Sequence, residues 1–164
     1  MQYHHIAITL FLAFSLANCS PDTKMCKWKD HLGNNYDWSS LYRPQSWSVE
    51  VNEESGLFGL KYFFNFCGNI AQKCKGKQVG AIESLLVMGQ ITDTCEILGQ
   101  NTAQNVKLAD PQNPSKGLHI EYLQGGVCEE SENKMENGKP RKVVFQLECA
   151  GSQDAQFVKV LPNG

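Results

Sequence analysis

Residues 117–128 read Gly-Leu-His-Ile-Glu-Tyr-Leu-Gln-Gly-Gly-Val-Cys, and this stretch predicts a strand of an antiparallel β protein. Leu118, Ile120 and Tyr122 alternate with other residues, and a period of two is typical of a strand that buries one face. The same alternation predicts a core position for Tyr122 rather than a place in a binding site. A glycine pair at 125–126 ends the strand, and a cysteine follows it.

Similar short apolar runs, each bounded by Gly, Asn, Asp, Pro or Ser, recur from residue 36 onward. Further strands are predicted near residues 47–51, 60–66 and 143–147. Residues 78–90 have some helix-favouring content, but glycines bracket them and β-branched residues are frequent, so we interpret the segment as a strand. A strand at 95–98 is expected to end at Gly99, with a polar loop rich in Asn and Gln behind it. No long helix is predicted.

The N-terminus predicts a cleaved signal peptide. Residues 6–17 form an apolar run of the length of a signal-peptide core, which is too short to span a bilayer comfortably. Cleavage is expected after Cys19, which would leave residues 20–164 as one domain in the secretory-pathway lumen or outside the cell. An uncleaved amphipathic N-terminus is the alternative. No second apolar run of spanning length follows, so no membrane span is expected in this chain.

Removal of residues 1–19 leaves an even number of cysteines, which predicts a disulfide-linked domain of an oxidising compartment. They are Cys26, Cys67, Cys74, Cys95, Cys128 and Cys149. The spacings contain no C-x-x-C pair, and His31 and His119 stand alone, so structural zinc is not expected. The spacings alone leave the pairing open.

The charges favour neither nucleic acid nor an enzyme active site. The formal net charge is −2, and the scattered Lys and Arg residues give no basic face, so nucleic acid is not an expected partner. Glu83 with Glu121 or Asp93 lacks the context of a glycosidase pair. Cysteines in an oxidising lumen pair rather than act as nucleophiles. We therefore expect no catalytic residues, no cofactor and no metal.

Five blocks, in order, resemble the mannose 6-phosphate receptor homology domain. They are Tyr-Asp-Trp-Ser-Ser-Leu at 36–41, Tyr-Phe-Phe-Asn-Phe-Cys-Gly at 62–68, Cys-Glu-Ile-Leu-Gly at 95–99, the quoted block at 117–128, and Arg-Lys-Val-Val-Phe-Gln-Leu-Glu-Cys at 141–149. The resemblance implies an all-β fold, a flattened antiparallel β-barrel or sandwich stapled by disulfides. Members of the family bind mannose or high-mannose N-glycans and sort glycoproteins in the secretory pathway.

In the family a Gln, an Arg, a Glu and a Tyr line the sugar pocket. The resemblance assigns the Arg role to Arg141 and puts Glu83 near the family Gln, where a carboxylate accepts hydrogen bonds but cannot donate them. The family Glu and Tyr fall beyond Cys149, in a segment that we expect this chain to lack, so the domain is expected to be incomplete at its C-terminus. Trp28, Trp38 and Trp47 are expected to pack under one end of the barrel.

Two functional interpretations follow from these residues. The first is a lectin-like module for mannose-containing glycans or glycoproteins, with an impaired sugar site. The alternative is a protein-interaction or structural module that keeps the fold without sugar recognition. By the same resemblance Cys26 pairs with Cys67 and Cys74 with Cys95. Cys128 and Cys149 would be left unpaired, or paired with each other, and we expect them unpaired.

Overall fold

A computed structural model of the chain describes residues 23–127 and 138–148, and these residues form an all-β fold. The strands are β1 Lys27–Lys29, β2 Asn35–Asp37, β3 Trp47–Asn52, β4 Phe58–Phe64, β5 Ala81–Val87, β6 Gln90–Leu108, β7 Leu118–Leu123 and β8 Val143–Leu147. Short 3₁₀ turns lie at Thr23–Cys26, Ser39–Leu41 and Pro114–Lys116, and these ranges contain no α-helix. No helix within them is long and apolar enough to cross a membrane.

The strands form a two-stranded ribbon, β1–β2, and a six-stranded sheet in the order β3-β4-β5-β6-β7-β8. Every neighbouring pair is antiparallel. The large sheet curls into a half-barrel, because β6 pairs with β5 through its first half and with β7 through its second. The strands predicted at 47–51, 60–66, 118–123 and 143–147 are confirmed, and so is a strand within 78–90.

The polar loop expected after Gly99 is wrong, because residues 99–105 continue β6. The register between β6 and β7 shifts between Gln100 and Gln104, and such irregularities let one strand bend from one half of a curled sheet into the other. Gly99 lies so close to β7 that a Cβ atom on it would be 2.5 Å from the carbonyl oxygen of Tyr122. Asn101 is buried. The polar composition of residues 99–105 therefore did not indicate the strand that they form.

The inner face of the sheet packs around aromatic rings. Tyr122 is fully buried, and its ring lies 5.2 Å from that of Phe145, which also contacts Phe64 and Phe66 at 5.1 Å. The predicted core position of Tyr122 is confirmed. Trp38 is buried in this core, and Trp28 and Trp47 pack against it, as expected for all three. A second, smaller cluster lies on the outer face of β4 and β5, where Phe63, Ile70, Cys74, Val79 and Ile82 are buried together.

Two disulfides link the irregular segments, one joining the N-terminal turn to the loop after β4 and the other joining that loop to β6. Cys26 bonds Cys67, with Cα atoms 5.3 Å apart, and Cys74 bonds Cys95, with Cα atoms 5.8 Å apart. These are the two pairs that the family resemblance implies, and bridges of this kind typically contribute about 2–4 kcal/mol to stability. The predicted signal peptide at 1–19 and the cysteines Cys128 and Cys149 lie outside the described residues.

A buried asparagine joins the loops to the sheet. The Asn65 Oδ1 atom accepts from the backbone N–H of Arg43 and of Phe66, both at 3.0 Å. Its Nδ2 atom donates to the carbonyl oxygens of Arg43, at 2.7 Å, and of Asn69, at 3.1 Å. The Tyr122 hydroxyl then donates to the Asn65 carbonyl oxygen, at 2.9 Å. The side-chain amide of Asn65 therefore fixes the loop before β3 and the loop after β4, and its backbone carbonyl binds strand β7.

We expect Tyr122→Phe to destabilise the protein by about 1–3 kcal/mol, because the buried Asn65 carbonyl loses its donor. Burial also raises the pKa of Tyr122 above its ordinary value of 10.0. Below pH 10 the stability that this shift contributes is fully present, and above it the unfolded state ionises first, so wild-type stability falls. Urea unfolding at neutral pH and at about pH 11 should therefore show a larger pH loss for wild type than for Tyr122→Phe. Equal losses would contradict this role of Tyr122.

Candidate functional site

The structure brings Arg141 and Glu83 into contact. Arg141 Nη1 lies 3.0 Å from Glu83 Oε1, although the two residues are far apart in the chain. Glu83 lies in the middle of β5, and Arg141 lies just before β8. Both side chains are partly buried, with 32% of the Arg141 side chain and 20% of the Glu83 side chain exposed. The two residues that the family resemblance assigns to one pocket therefore form one ion pair.

The glycine pair at 125–126 positions Arg141. The Arg141 N–H donates to the Gly126 carbonyl at 2.8 Å, and the Gly125 N–H donates to the Arg141 carbonyl at 2.9 Å. Gly126 in turn donates to the Ile97 carbonyl at 2.7 Å, which attaches this segment to β6. A Cβ atom on Gly125 would lie 2.6 Å from the carbonyl oxygens of both Arg141 and Leu98. Only glycine allows this approach, so the pair holds Arg141 against the sheet.

Two more polar side chains join Glu83 through the strand register. Glu83 is the cross-strand partner of Tyr62 on β4 and of Glu96 on β6. Directly opposite residues of an antiparallel pair have side chains on the same face of the sheet. Ala81, two residues before Glu83, is buried in the inner core, so this is the inner face. We call Tyr62, Glu83, Glu96 and Arg141 the inner polar cluster.

The charges of the inner polar cluster are balanced. Glu83 pairs with Arg141, and Glu96 pairs with Lys75, whose Nζ atom lies 2.8 Å from Glu96 Oε1. Burial raises the pKa of Tyr62, and the negative charge of Glu83 raises it further, so the phenol stays protonated as a donor. The Arg141 Nε atom is buried, and the residues described here give it no hydrogen-bond partner. The cluster thus offers carboxylate acceptors beside phenol and guanidinium donors.

Donors and acceptors in this proportion suit a neutral ligand with neighbouring hydroxyl groups, because each hydroxyl can donate and accept a hydrogen bond. A metal ion is not the ligand that these side chains suggest. Within residues 23–127 and 138–148, no group of three or more His, Cys, Asp or Glu side chains is arranged to hold one.

The sequence predicted Arg141 and Glu83 as site residues, and it did not indicate Tyr62 and Glu96 as their neighbours. Both lie in blocks that carry the family resemblance, yet only the strand register shows that they flank Glu83. Glu121 does not join them. Its carboxylate accepts from Lys107 at 3.1 Å and from Asn105 at 3.2 Å, on the other face of β7 from the buried Tyr122.

The fold and the cluster define a class: a disulfide-linked all-β domain, with a small charge-balanced polar site on the inner face of its sheet. Disulfides of this kind are consistent with a secretory or lumenal compartment. The family model described as autophagy-related protein 27 matches residues 7–162, nearly the whole chain, and the chain therefore belongs to that family. No curated protein matches the chain.

The effect of the Glu83 charge on Tyr62 can be tested by spectroscopy. We expect Glu83→Gln to lower the pKa of Tyr62, because it removes the negative charge beside the phenol and leaves the Arg141 charge unpaired. The measurement is an NMR titration of ¹³C-labelled tyrosine, with Tyr62→Phe used to assign the signal. Glu96→Gln is the matched control and should leave the Tyr62 pKa near its wild-type position. If neither substitution changes the Tyr62 pKa, the proposed electrostatic contact between Tyr62 and Glu83 is contradicted.

Proposed function

We propose that this chain is a non-enzymatic, lectin-like module of the mannose 6-phosphate receptor homology type, which binds mannose-containing glycans in the secretory-pathway lumen. The observation that carries the proposal is the contact between Arg141 and Glu83, which the family resemblance assigns to one sugar pocket. The family description adds an autophagy-related role, in which such a module would recognise or sort glycoprotein cargo.

The inner polar cluster favours a neutral sugar over a charged one. The positive charge of Arg141 is met by Glu83, and that of Lys75 by Glu96, so little net charge remains to attract a phosphate group. Neighbouring sugar hydroxyls instead need donors and acceptors close together, and an arginine can hold two acceptor oxygens at once.

Glu83 weakens this site relative to one with glutamine. The carboxylate cannot donate to a sugar oxygen, and its ion pair with Arg141 must adjust when a sugar approaches the guanidinium. The loss of one hydrogen bond costs about 0.5–1.5 kcal/mol, which corresponds to up to about tenfold in affinity. We therefore expect weak binding to a single mannose unit.

The second candidate function is a protein-interaction or structural module without sugar recognition. The same ion pair supports it, because a guanidinium already bound to a carboxylate can serve the fold instead of a ligand. A glycan array probed with the purified domain separates the two functions. Selective retention of mannose-terminated glycans supports the lectin-like module, and no retention supports the alternative.

We expect Arg141→Ala to weaken mannose binding by about 1.5–3 kcal/mol, because it removes a charged hydrogen-bond donor. The fold should survive, since Arg141 is outside the apolar core. Lys142→Ala is the matched control, because it removes the same charge from the exposed neighbouring position and should bind like wild type.

Conversely, Glu83→Gln should strengthen binding by restoring a donor and releasing Arg141. Calorimetry with a mannose oligosaccharide measures all three variants, and unchanged affinity in Arg141→Ala would remove Arg141 from the site.

A further inference from the structure

Two loops at one end of the sheet concentrate positive charge. Residues 38–46 connect β2 to β3, and residues 65–80 connect β4 to β5. Together they contain four cationic residues, Arg43, Lys73, Lys75 and Lys77, and neither loop contains Asp or Glu. The formal net charge of the whole chain is −2, so this concentration is local.

Hydrogen bonds join the two loops. The side chain of Asn65 bonds both the N–H and the carbonyl of Arg43, as described above. Ser46 closes a turn onto the Arg43 carbonyl at 3.1 Å, and its hydroxyl accepts from the N–H of Ala71 at 2.8 Å. Arg43 is therefore fixed beside the segment that carries the lysines. We call Arg43, Lys73, Lys75 and Lys77 the cationic face.

The Trp47 ring orients the exposed side chain of Arg43. Its guanidinium carbon lies 4.7 Å above the centre of the Trp47 ring, and the Trp47 indole donates to the Leu41 carbonyl at 2.7 Å. Stacking orients the guanidinium plane while the residue remains exposed. Among the described residues no carboxylate lies within ion-pair distance of Arg43. A stacked guanidinium of this kind suits a two-pronged contact with a carboxylate.

The lysines sit on a rigid hairpin. Cys74 and Lys77 exchange two backbone hydrogen bonds of 2.9 Å around a two-residue turn. Lys75 and Gly76 in this turn have φ angles of +51° and +76°, as a type I′ turn requires. The disulfide from Cys74 to Cys95 anchors the turn to β6. Lys73 and Lys77 flank it, exposed and without an ion-pair partner in the described part of the chain, whereas Lys75 pairs with Glu96.

We propose that the cationic face docks an extended acidic segment of a partner protein. Alternate side chains of an extended peptide lie on the order of 7 Å apart, so successive carboxylates can meet cations spread over neighbouring loops. The loops are already ordered by Asn65 and the disulfide, which lowers the entropic cost of docking. A membrane fits less well, because binding to a lipid surface combines cations with exposed apolar side chains. The exposed large apolar residues of the described ranges lie outside both loops.

The test uses the purified chain and a fluorescent oligoglutamate peptide, with binding followed by anisotropy. The face variant is Lys73→Gln with Lys77→Gln. The control is Lys29→Gln with Lys116→Gln, which makes the same charge change at exposed lysines elsewhere. We expect about tenfold weaker binding for the face variant and less than about twofold for the control. Arg43→Gln provides a second face variant, with thermal unfolding as the check that each variant folds.

Three outcomes would overturn the proposal. One is that wild type does not bind the peptide. Another is that the control loses as much affinity as the face variant, which would reduce the effect to net charge. The third is that wild type prefers vesicles containing phosphatidylserine, or a single-stranded oligonucleotide, over the acidic peptide. Mannose binding, measured in parallel, should be equal in the face variant and in wild type, so failure here is distinguishable from failure of the lectin-like function.

Discussion

Asn65 is the residue on which both proposed binding surfaces depend. Its buried side-chain amide uses both donor hydrogens and two acceptor contacts inside the protein, and its backbone carbonyl receives the hydroxyl of Tyr122. A fully satisfied buried polar group of this kind specifies one arrangement of the chain, because any other arrangement leaves polar atoms unpaired. The Asn65 side chain holds the loop that carries Arg43 and the segment at Asn69 that leads to the lysine hairpin. The Asn65 backbone carbonyl holds β7 through the hydroxyl of Tyr122. The segment that follows β7 then carries the glycine pair to Arg141.

The inner polar cluster brings an arginine and a carboxylate from distant parts of the chain into contact. Arg141 and Glu83 meet because the glycine pair allows close approach and because β5 runs through the middle of the sheet. The acid opposite the arginine balances its charge, so the proposed selectivity for a sugar depends on the directions of hydrogen bonds rather than on net charge. The same ion pair is compatible with both proposed functions. It orients the Arg141 guanidinium for a ligand, and it also gives the guanidinium a hydrogen-bond partner when no ligand is bound.

Local pattern predicted much of the fold, and long-range pairing explains what it missed. Alternation identified the strands around Ile120 and Phe145, and the family resemblance implied both disulfides and assigned Arg141 and Glu83 to one pocket. The bend of β6 was not predictable, since a bulge depends on how β7 approaches Gly99 rather than on the polar residues of the segment. Tyr62 and Glu96 were missed for a related reason, because only the register shows which side chains are neighbours. The cationic face was missed because Arg43 and Lys73 are distant in the chain.

Binding of a neutral mannose unit by the inner polar cluster can be followed by a ligand titration with ¹H–¹⁵N NMR. Methyl α-mannoside is added to the purified domain, with methyl α-galactoside as the control sugar. We expect mannoside-dependent shifts at the amides of Tyr62, Glu83, Glu96 and Gly126. An absence of shifts at millimolar mannoside, or equal shifts with both sugars, would contradict binding at this cluster.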